Sequence, residues 1–257
     1  MTALAEWERV DVRVWANAWG VPGLEAHTEL SSTNDHLTAL AALGAPDHLV
    51  VIAEEQTAGR GRRGAEWFSP AETGLWLSFL TATDAESVPV LPLLAGIAAA
   101  RAIETVSGVD VRIKWPNDVF VDGRKVGGVL CESARDRVVI GIGLNVRTPP
   151  GGFPDEIADR AGALDSLARG TREVSRADLA GALVGQLLEV TGAARPSLDP
   201  ALLAELKVRD VLAGTEVLTE QAGRGTAAGI TPEGALLLER ADGSRVTVVA
   251  GSVRSIL

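Results

Sequence analysis

The chain has 257 residues, 46% of them apolar, and its 24 Lys+Arg against 34 Asp+Glu leave a formal charge of -10. At this length roughly 75% of the unfolded surface can be buried, so a sizeable core is expected and disorder is excluded as the main state. A pI near 4.9 excludes a surface that attracts polyanions as a whole, and a single Cys131 excludes a disulfide framework or a multi-cysteine metal centre. Cys131 itself reads as a small apolar residue buried on a strand.

Met1 to Glu8 lacks both a basic leader and an apolar stretch of the secretory kind. The longest apolar run, Leu91 to Ala100, contains Pro92 and stops at Arg101, short of the ~20 residues a membrane span needs. A cytoplasmic protein with no membrane partner is the expectation. Ser32-Thr33-Asn34 offers capping groups ahead of a helix over Asp35 to Leu43, whose Leu37, Leu40 and Ala41 recur at helical spacing. Leu49 to Ala53 and Leu75 to Leu80 read as buried strands, Leu91 to Val106 as a long apolar helix, and Val111 to Trp115 as a strand. Val119 to Leu130 reads as a hairpin turning at Asp122-Gly123, Val138 to Val146 as a further strand, and Ser175 with Asp178 as a helix start. This irregular mixture predicts an α+β domain over residues 1–207 rather than a doubly wound sheet.

From Val208 to Leu257 the composition changes: no aromatic occurs, whereas all six Trp and all four Phe lie at or before Phe153. Short strands are predicted at Thr215 to Thr219, Thr226 to Ile230, Ala235 to Glu239 and Val246 to Val249, with Asp242-Gly243 as a turn, so residues 208–257 read as a separate small barrel. Its five Arg and six acidic residues give no basic face for nucleic acid.

Two segments carry chemistry. Gly59-Arg60-Gly61-Arg62-Arg63-Gly64 has the spacing of a dinucleotide-binding turn, but Pro70 and the nearby strand leave no helix to hold a pyrophosphate. A strand-to-strand loop with three Gly and three Arg instead suits close approach to an anion, the alternative being a solvated basic loop. Lys114-Trp115-Pro116-Asn117-Asp118 and Asp122-Gly123-Arg124-Lys125-Val126-Gly127-Gly128 hold two of the chain's three Lys. With 21 Arg available elsewhere, Lys114 and Lys125 suggest positions where a compact, rotatable ammonium is needed; the alternative is a hairpin with a charged tip.

These segments, with Ser32-Thr33-Asn34, Glu54-Glu55-Gln56-Thr57-Ala58, Val129-Leu130 and Gly141-Ile142-Gly143-Leu144-Asn145-Val146, resemble the biotin protein ligases in order and in kind. The resemblance implies a mixed-sheet catalytic domain of the biotin/lipoate ligase (class II aminoacyl-tRNA synthetase-like) type, followed by an SH3-like β-barrel. It implies ATP-dependent transfer of biotin, through biotinoyl-AMP, to a lysine of a biotin carboxyl carrier domain, with Mg2+ accompanying ATP and no protein-held metal. Ser32, Thr33, Asn34, Gln56, Arg60, Gly61, Arg62, Lys125 and Gly128 would bind biotin. Arg60, Arg62, Arg63, Trp67, Lys114, Asn117, Lys125 and Asn145 would border ATP. Lys125, Arg62, Lys114 and Asp118 would carry the chemistry, Asp118 either orienting the incoming amine or simply capping its hairpin. The barrel would pack on the catalytic domain and shape the nucleotide and carrier sites. His27, His36 and His48 read as structural or surface. Only 31 residues precede Ser32, too few and too acidic for a DNA-binding winged helix, so no DNA partner is expected; a homodimer is left open. The segment Pro149 to Val174 carries no assignable motif. The alternatives are a lipoate or octanoate ligase of the same fold and a non-catalytic biotin sensor.

Overall fold

The structure, a computed structural model, describes residues 2–84, 86–167, 173–192 and 195–255. The N-terminal part contains β1 (Ala3–Leu4), β2 (Glu6–Trp7), β3 (Val10–Asp11), α1 (Val12–Trp19), β4 (Leu24–Leu30), α2 (Thr33–Ala42), β5 (Val50–Gln56) and β6 (Gly74–Ala82). Next come α3 (Leu91–Ser107), β7 (Arg112–Lys114), β8 (Asp118–Val121), β9 (Arg124–Ala134), β10 (Arg137–Asn145), α4 (Leu164–Leu167), α5 (Arg176–Thr191) and α6 (Pro200–Arg209). The C-terminal strands are β11 (Glu216–Thr219), β12 (Gly223–Ile230), β13 (Leu236–Glu239), β14 (Arg245–Val248) and β15 (Val253–Ser255).

Eight strands form one mixed sheet in the order β1-β4-β5-β6-β10-β9-β8-β7. Among the described residues of this sheet, β4 and β5 are the one parallel pair of strands, which demands a crossover, and α2 provides it. Ser32 caps α2, its Oγ accepting from Asp35 N at 3.4 Å, and Ser175 caps α5 in the same way. Alternation along the strands sends side chains to two cores. Leu75, Leu77 and Phe79 of β6 with Val138, Ile140, Ile142 and Leu144 of β10 enter the large core that also takes α3 and α5. Val51, Ala53, Leu80 and Val139 point the other way, to a small cluster with Leu37 and Ala41 of α2.

The predicted elements appear with their ends shifted by a few residues. Helix α3 runs past Arg101, and with the 3-10 turn before it makes 20 residues apolar enough to cross a membrane by length and composition. That apolarity is used inside the protein, since 72% of the helix window is buried. Cys131 packs against the large core, and burial pushes its thiol up to about 12, so it is inert as a nucleophile. Of the segment without a motif, residues 168–172 lie outside the described residues.

The C-terminal strands form an antiparallel five-stranded sheet, β14-β13-β12-β11-β15. Among the described residues its end strands share no ladder, so the barrel is open. Position 207/208, where composition divides the chain, falls within α6. The large core is continuous across this division: Leu206 and Leu212 join it to Val217, Leu236, Leu238 and Val248 of the C-terminal sheet.

A buried cation ties the N-terminal segment to the body. Arg176, 6% exposed, pairs with Glu8 and Glu54 at 2.5 and 2.7 Å, and its guanidinium faces the Trp7 ring at 5.8 Å. Removing it would leave two partly buried carboxylates unpaired. Arg176→Ala is expected to lower stability by about 3 kcal/mol, read as a lower urea midpoint.

Candidate functional site

Three glycines open the α2-side face of the main sheet. On β10, Gly141 and Gly143 stand where Val139 two residues earlier fills the small core, and Gly128 of β9 lies directly opposite Gly143. A Cβ on Gly141 would lie 2.2 Å from Asn34 Oδ1, and one on Gly143 would lie 2.5 Å from Trp67 Nε1. The missing side chains therefore let α2 and the loop after β5 approach the sheet backbone. Gly127 serves packing instead, because a Cβ there would meet Leu144 at 2.5 Å.

Above this floor is a cavity of about 270 Å³. Its wall includes Ser32, Thr33, Asn34, Gln56, Arg60, Gly61, Arg62, Arg63, Trp67, Lys114, Asn117, Asp118, Lys125 and Gly128. Thus four segments far apart in sequence converge. Asn145 does not line it; the side chain is buried beyond the wall and donates to Gly162 O at 3.0 Å.

At one end the polar groups form a closed network. Gln56 Oε1 accepts from the N and Oγ1 of Thr33 at 2.9 and 3.1 Å, while its Nε2 donates to Ser69 Oγ at 3.0 Å. Ser78 Oγ lies 2.8 Å from Thr33 Oγ1 and 2.6 Å from Asn34 Oδ1. Asn34 Nδ2 donates to Glu132 Oε2 at 2.7 Å. Hydroxyls and amides held this way are set to meet a polar head group without reorganising.

The arginine loop is a short hairpin rather than an open coil. Trp67 N donates to Gly59 O at 2.9 Å and Gly61 N to Ala65 O at 2.7 Å, with a 3-10 turn at Arg62–Gly64 where Arg63 takes φ 59°. Its three cations go three ways. Arg60 forks onto Asp35 at 2.8 and 2.7 Å and reaches Glu132 at 3.1 Å, pinning the loop to α2 and β9. Arg63 pairs with Glu220 of the C-terminal sheet at 2.7 Å. Among the described residues Arg62 has only a carbonyl partner, donating to Gly251 O at 3.3 Å, and burial lowers its pKa below the usual value. Of the three, Arg62 is the one left wanting an anion.

Opposite the loop, Lys125 Nζ sits 2.5 Å from Asp118 Oδ1 across the β8–β9 pair and 5.2 Å from the Trp67 ring centroid. Among the described residues the buried Trp67 Nε1 has no partner. Asn117 ties the hairpin, its Nδ2 donating to Val129 O at 2.7 Å. Lys114 lines the cavity from the end of β7. The segment that carried no motif braces this corner: Lys125 N donates to Arg160 O at 2.8 Å and Gly162 N to Lys125 O at 2.9 Å.

Sequence reasoning missed Glu132, Ser78 and Ser69, which hold the predicted residues in place, and the stretch Gly251 to Val253 of the wall. None carries a local signal, since each matters only through a partner distant in sequence. It read His27 and His36 as structural or surface residues without placing them together, whereas both face Glu25.

Two family models match the chain: the biotin/lipoate A/B protein ligase family over residues 28–146 and the biotin protein ligase C terminal domain over residues 214–254. The chain is 35% identical over 243 residues to a biotin--[acetyl-CoA-carboxylase] ligase of Mycobacterium tuberculosis, covering 90% of this chain and 88% of that protein. It is 42% identical over 149 residues to the bifunctional ligase/repressor BirA of Bacillus subtilis, covering 55% of this chain and only 46% of that relative. A second such relative, from Bacillus spizizenii, is covered over 45% of its length. Among solved structures, the biotin protein ligase of Aquifex aeolicus in complex with biotin and ATP superposes with a TM-score of 0.78 at 26% identity, covering 91% of this chain and 99% of that one.

The Asp118–Lys125 pair competes with any anion for the ammonium. Asp118→Asn is expected to tighten pyrophosphate binding about fivefold, the worth of one partly exposed ion pair of ~1 kcal/mol, as read by isothermal titration.

Proposed function

This chain belongs to the biotin protein ligase family, and from that membership we propose that it activates biotin with ATP and passes it to a lysine of a biotin carboxyl carrier domain. In the first step a biotin carboxylate oxygen attacks the α-phosphorus of ATP, the bond to the bridging oxygen breaks, and pyrophosphate leaves. In the second, the carrier's neutral lysine amine attacks the acyl carbon of biotinoyl-AMP. An amide forms, AMP leaves with the electron pair, and the amine proton passes to a base.

The observation that carries this reading is Lys125, an ammonium on the floor of a cavity that also holds Thr33, Gln56 and Arg62. Biotin's ureido ring would exchange hydrogen bonds with Ser32, Thr33 and Gln56, with Asn34 and Gly61 beside it and Gly128 under the ring. Two anions must meet at the phosphorus, which fixed cations favour by acting where charge develops. Lys125 would leave Asp118 for the carboxylate and α-phosphate, Arg62 would leave Gly251 O for the phosphate, and Lys114 would lie further along the triphosphate with Asn117. Trp67 would form a side wall, and Arg60 and Arg63 would hold the loop's shape. Asp118, released by Lys125, is then free to take the amine proton.

Mg2+ would enter as part of the ATP complex and neutralise phosphate charge. The wall offers two carboxylates, Glu66 and Asp118, the second engaged with Lys125. This suits a cation that is held by phosphate oxygens and keeps its waters rather than one caged by protein. The carrier domain would approach across the edge formed by the arginine loop and the C-terminal unit, residues 208–257.

Biotin-dependent exchange of pyrophosphate into ATP, run beside lipoate, tests the reading: exchange with biotin alone is the expected result. Lys125→Ala is expected to slow it at least a hundredfold with the fold intact, since one lost cation at a developing phosphate charge costs ~3 kcal/mol. Arg62→Gly is expected to let biotinoyl-AMP escape, seen as indiscriminate labelling of lysines on a bystander protein; tight retention of the intermediate by that variant would remove Arg62 from this role.

A further inference from the structure

Away from the cavity, Glu25, His27 and His36 come together between β4 and α2. Glu25 and His27 are two apart on β4 and so share a strand face, and His36 descends onto that face from α2. His36 Nε2 is 2.9 Å from Glu25 Oε2 and His27 Nε2 is 3.4 Å from the same oxygen. One ligand atom from each residue falls within 4.8 Å of the others, and the two rings meet edge to face at 4.6 Å. A single carboxylate oxygen thus serves two imidazoles, one of them at a long distance. His27 is 6% exposed, and among the described residues its buried Nδ1 has no partner.

We propose that Glu25, His27 and His36 bind one borderline divalent transition-metal cation, with Zn2+ the best fit, at a site separate from the nucleotide cavity. Two imidazole nitrogens and one carboxylate oxygen make a three-ligand set that leaves a fourth position for water. Glu25, with 40% of its side chain exposed, gives that position access to solvent. Mg2+ and Ca2+ prefer oxygen donors throughout, so the site discriminates against the cation that accompanies ATP. Binding needs neutral imidazole, so affinity for the cation should fall as the pH is lowered. The mechanical consequence is a bolt between β4 and α2, the helix whose first turn carries Thr33 and Asn34 to the cavity wall.

The test is titration of the full, chelator-treated chain with Zn2+ in the presence of excess Mg2+, with Co2+ as a spectroscopic probe. Expected are one Zn2+ per chain, a raised melting temperature and a Co2+ ligand-field spectrum. Losing a direct ligand costs no less than losing a group behind one, so Glu25→Gln and His36→Gln should each weaken Zn2+ at least about tenfold. His48→Gln, remote from the cluster, should leave binding unchanged. Circular dichroism without metal checks each fold; Glu25→Gln is close to isosteric at a half-exposed position and keeps the test open should His36→Gln fail to fold. Absence of saturable Zn2+ binding would overturn the proposal, as would full-strength binding in the Glu25→Gln variant or equal competition by Mg2+.

Discussion

The site depends on the absence of side chains along one face of β9 and β10. Where Gly128, Gly141 and Gly143 stand, the sheet presents bare backbone, and α2 on one side and the arginine hairpin on the other close over it. A single methyl at Gly143 would collide with Trp67, and one at Gly141 with Asn34. The polar network of Gln56, Thr33, Ser78 and Asn34 is assembled only because these residues are allowed so near the strands. Glycine weakens an isolated strand, and here flanking Ile140, Ile142 and Leu144 offset that by burying the opposite face completely.

Around this floor the cations are held by internal partners of graded strength. Arg60 makes a forked, charge-assisted pair with Asp35 and also reaches Glu132, the most extensive set of partners of the loop's three arginines among the described residues. Lys125 has one carboxylate partner and an aromatic face. Arg62 has one carbonyl. An arriving anion would displace the weaker partners first, so the gradient itself separates cations that shape the loop from those free to engage phosphate.

The C-terminal strands are tied to the N-terminal part by packing and by contacts at the cavity. They share the large core, supply Gly251, Ser252 and Val253 to the cavity wall, and hold the arginine loop through Arg63–Glu220 and Arg62–Gly251. Trp115, buried next to Lys114, donates to Gly234 O at 2.9 Å. The segment that presents Lys114 is thereby anchored to both parts of the chain, which couples cavity shape to the seating of the C-terminal sheet.

Local pattern was sufficient for much of this. Caps at Ser32 and Ser175, buried strands at β5, β6 and β10, the α3 helix and the Asp122-Gly123 hairpin follow from periodicity and turn chemistry that act over a few residues. The scarcity of Lys and the Gly-Arg loop likewise marked positions that line the cavity. Strand β4 escaped because LEAHTEL serves both cores and the Glu25–His cluster at once, so it shows no clean alternation. The burial of the Asn145 amide against Gly162 was settled by how the chain returns past β10. Which arginine faces the ligand, which carboxylate restrains Lys125 and which histidines meet were likewise decided only by tertiary structure. Each depends on contacts between residues tens of positions apart, and composition and spacing carry no record of such distances.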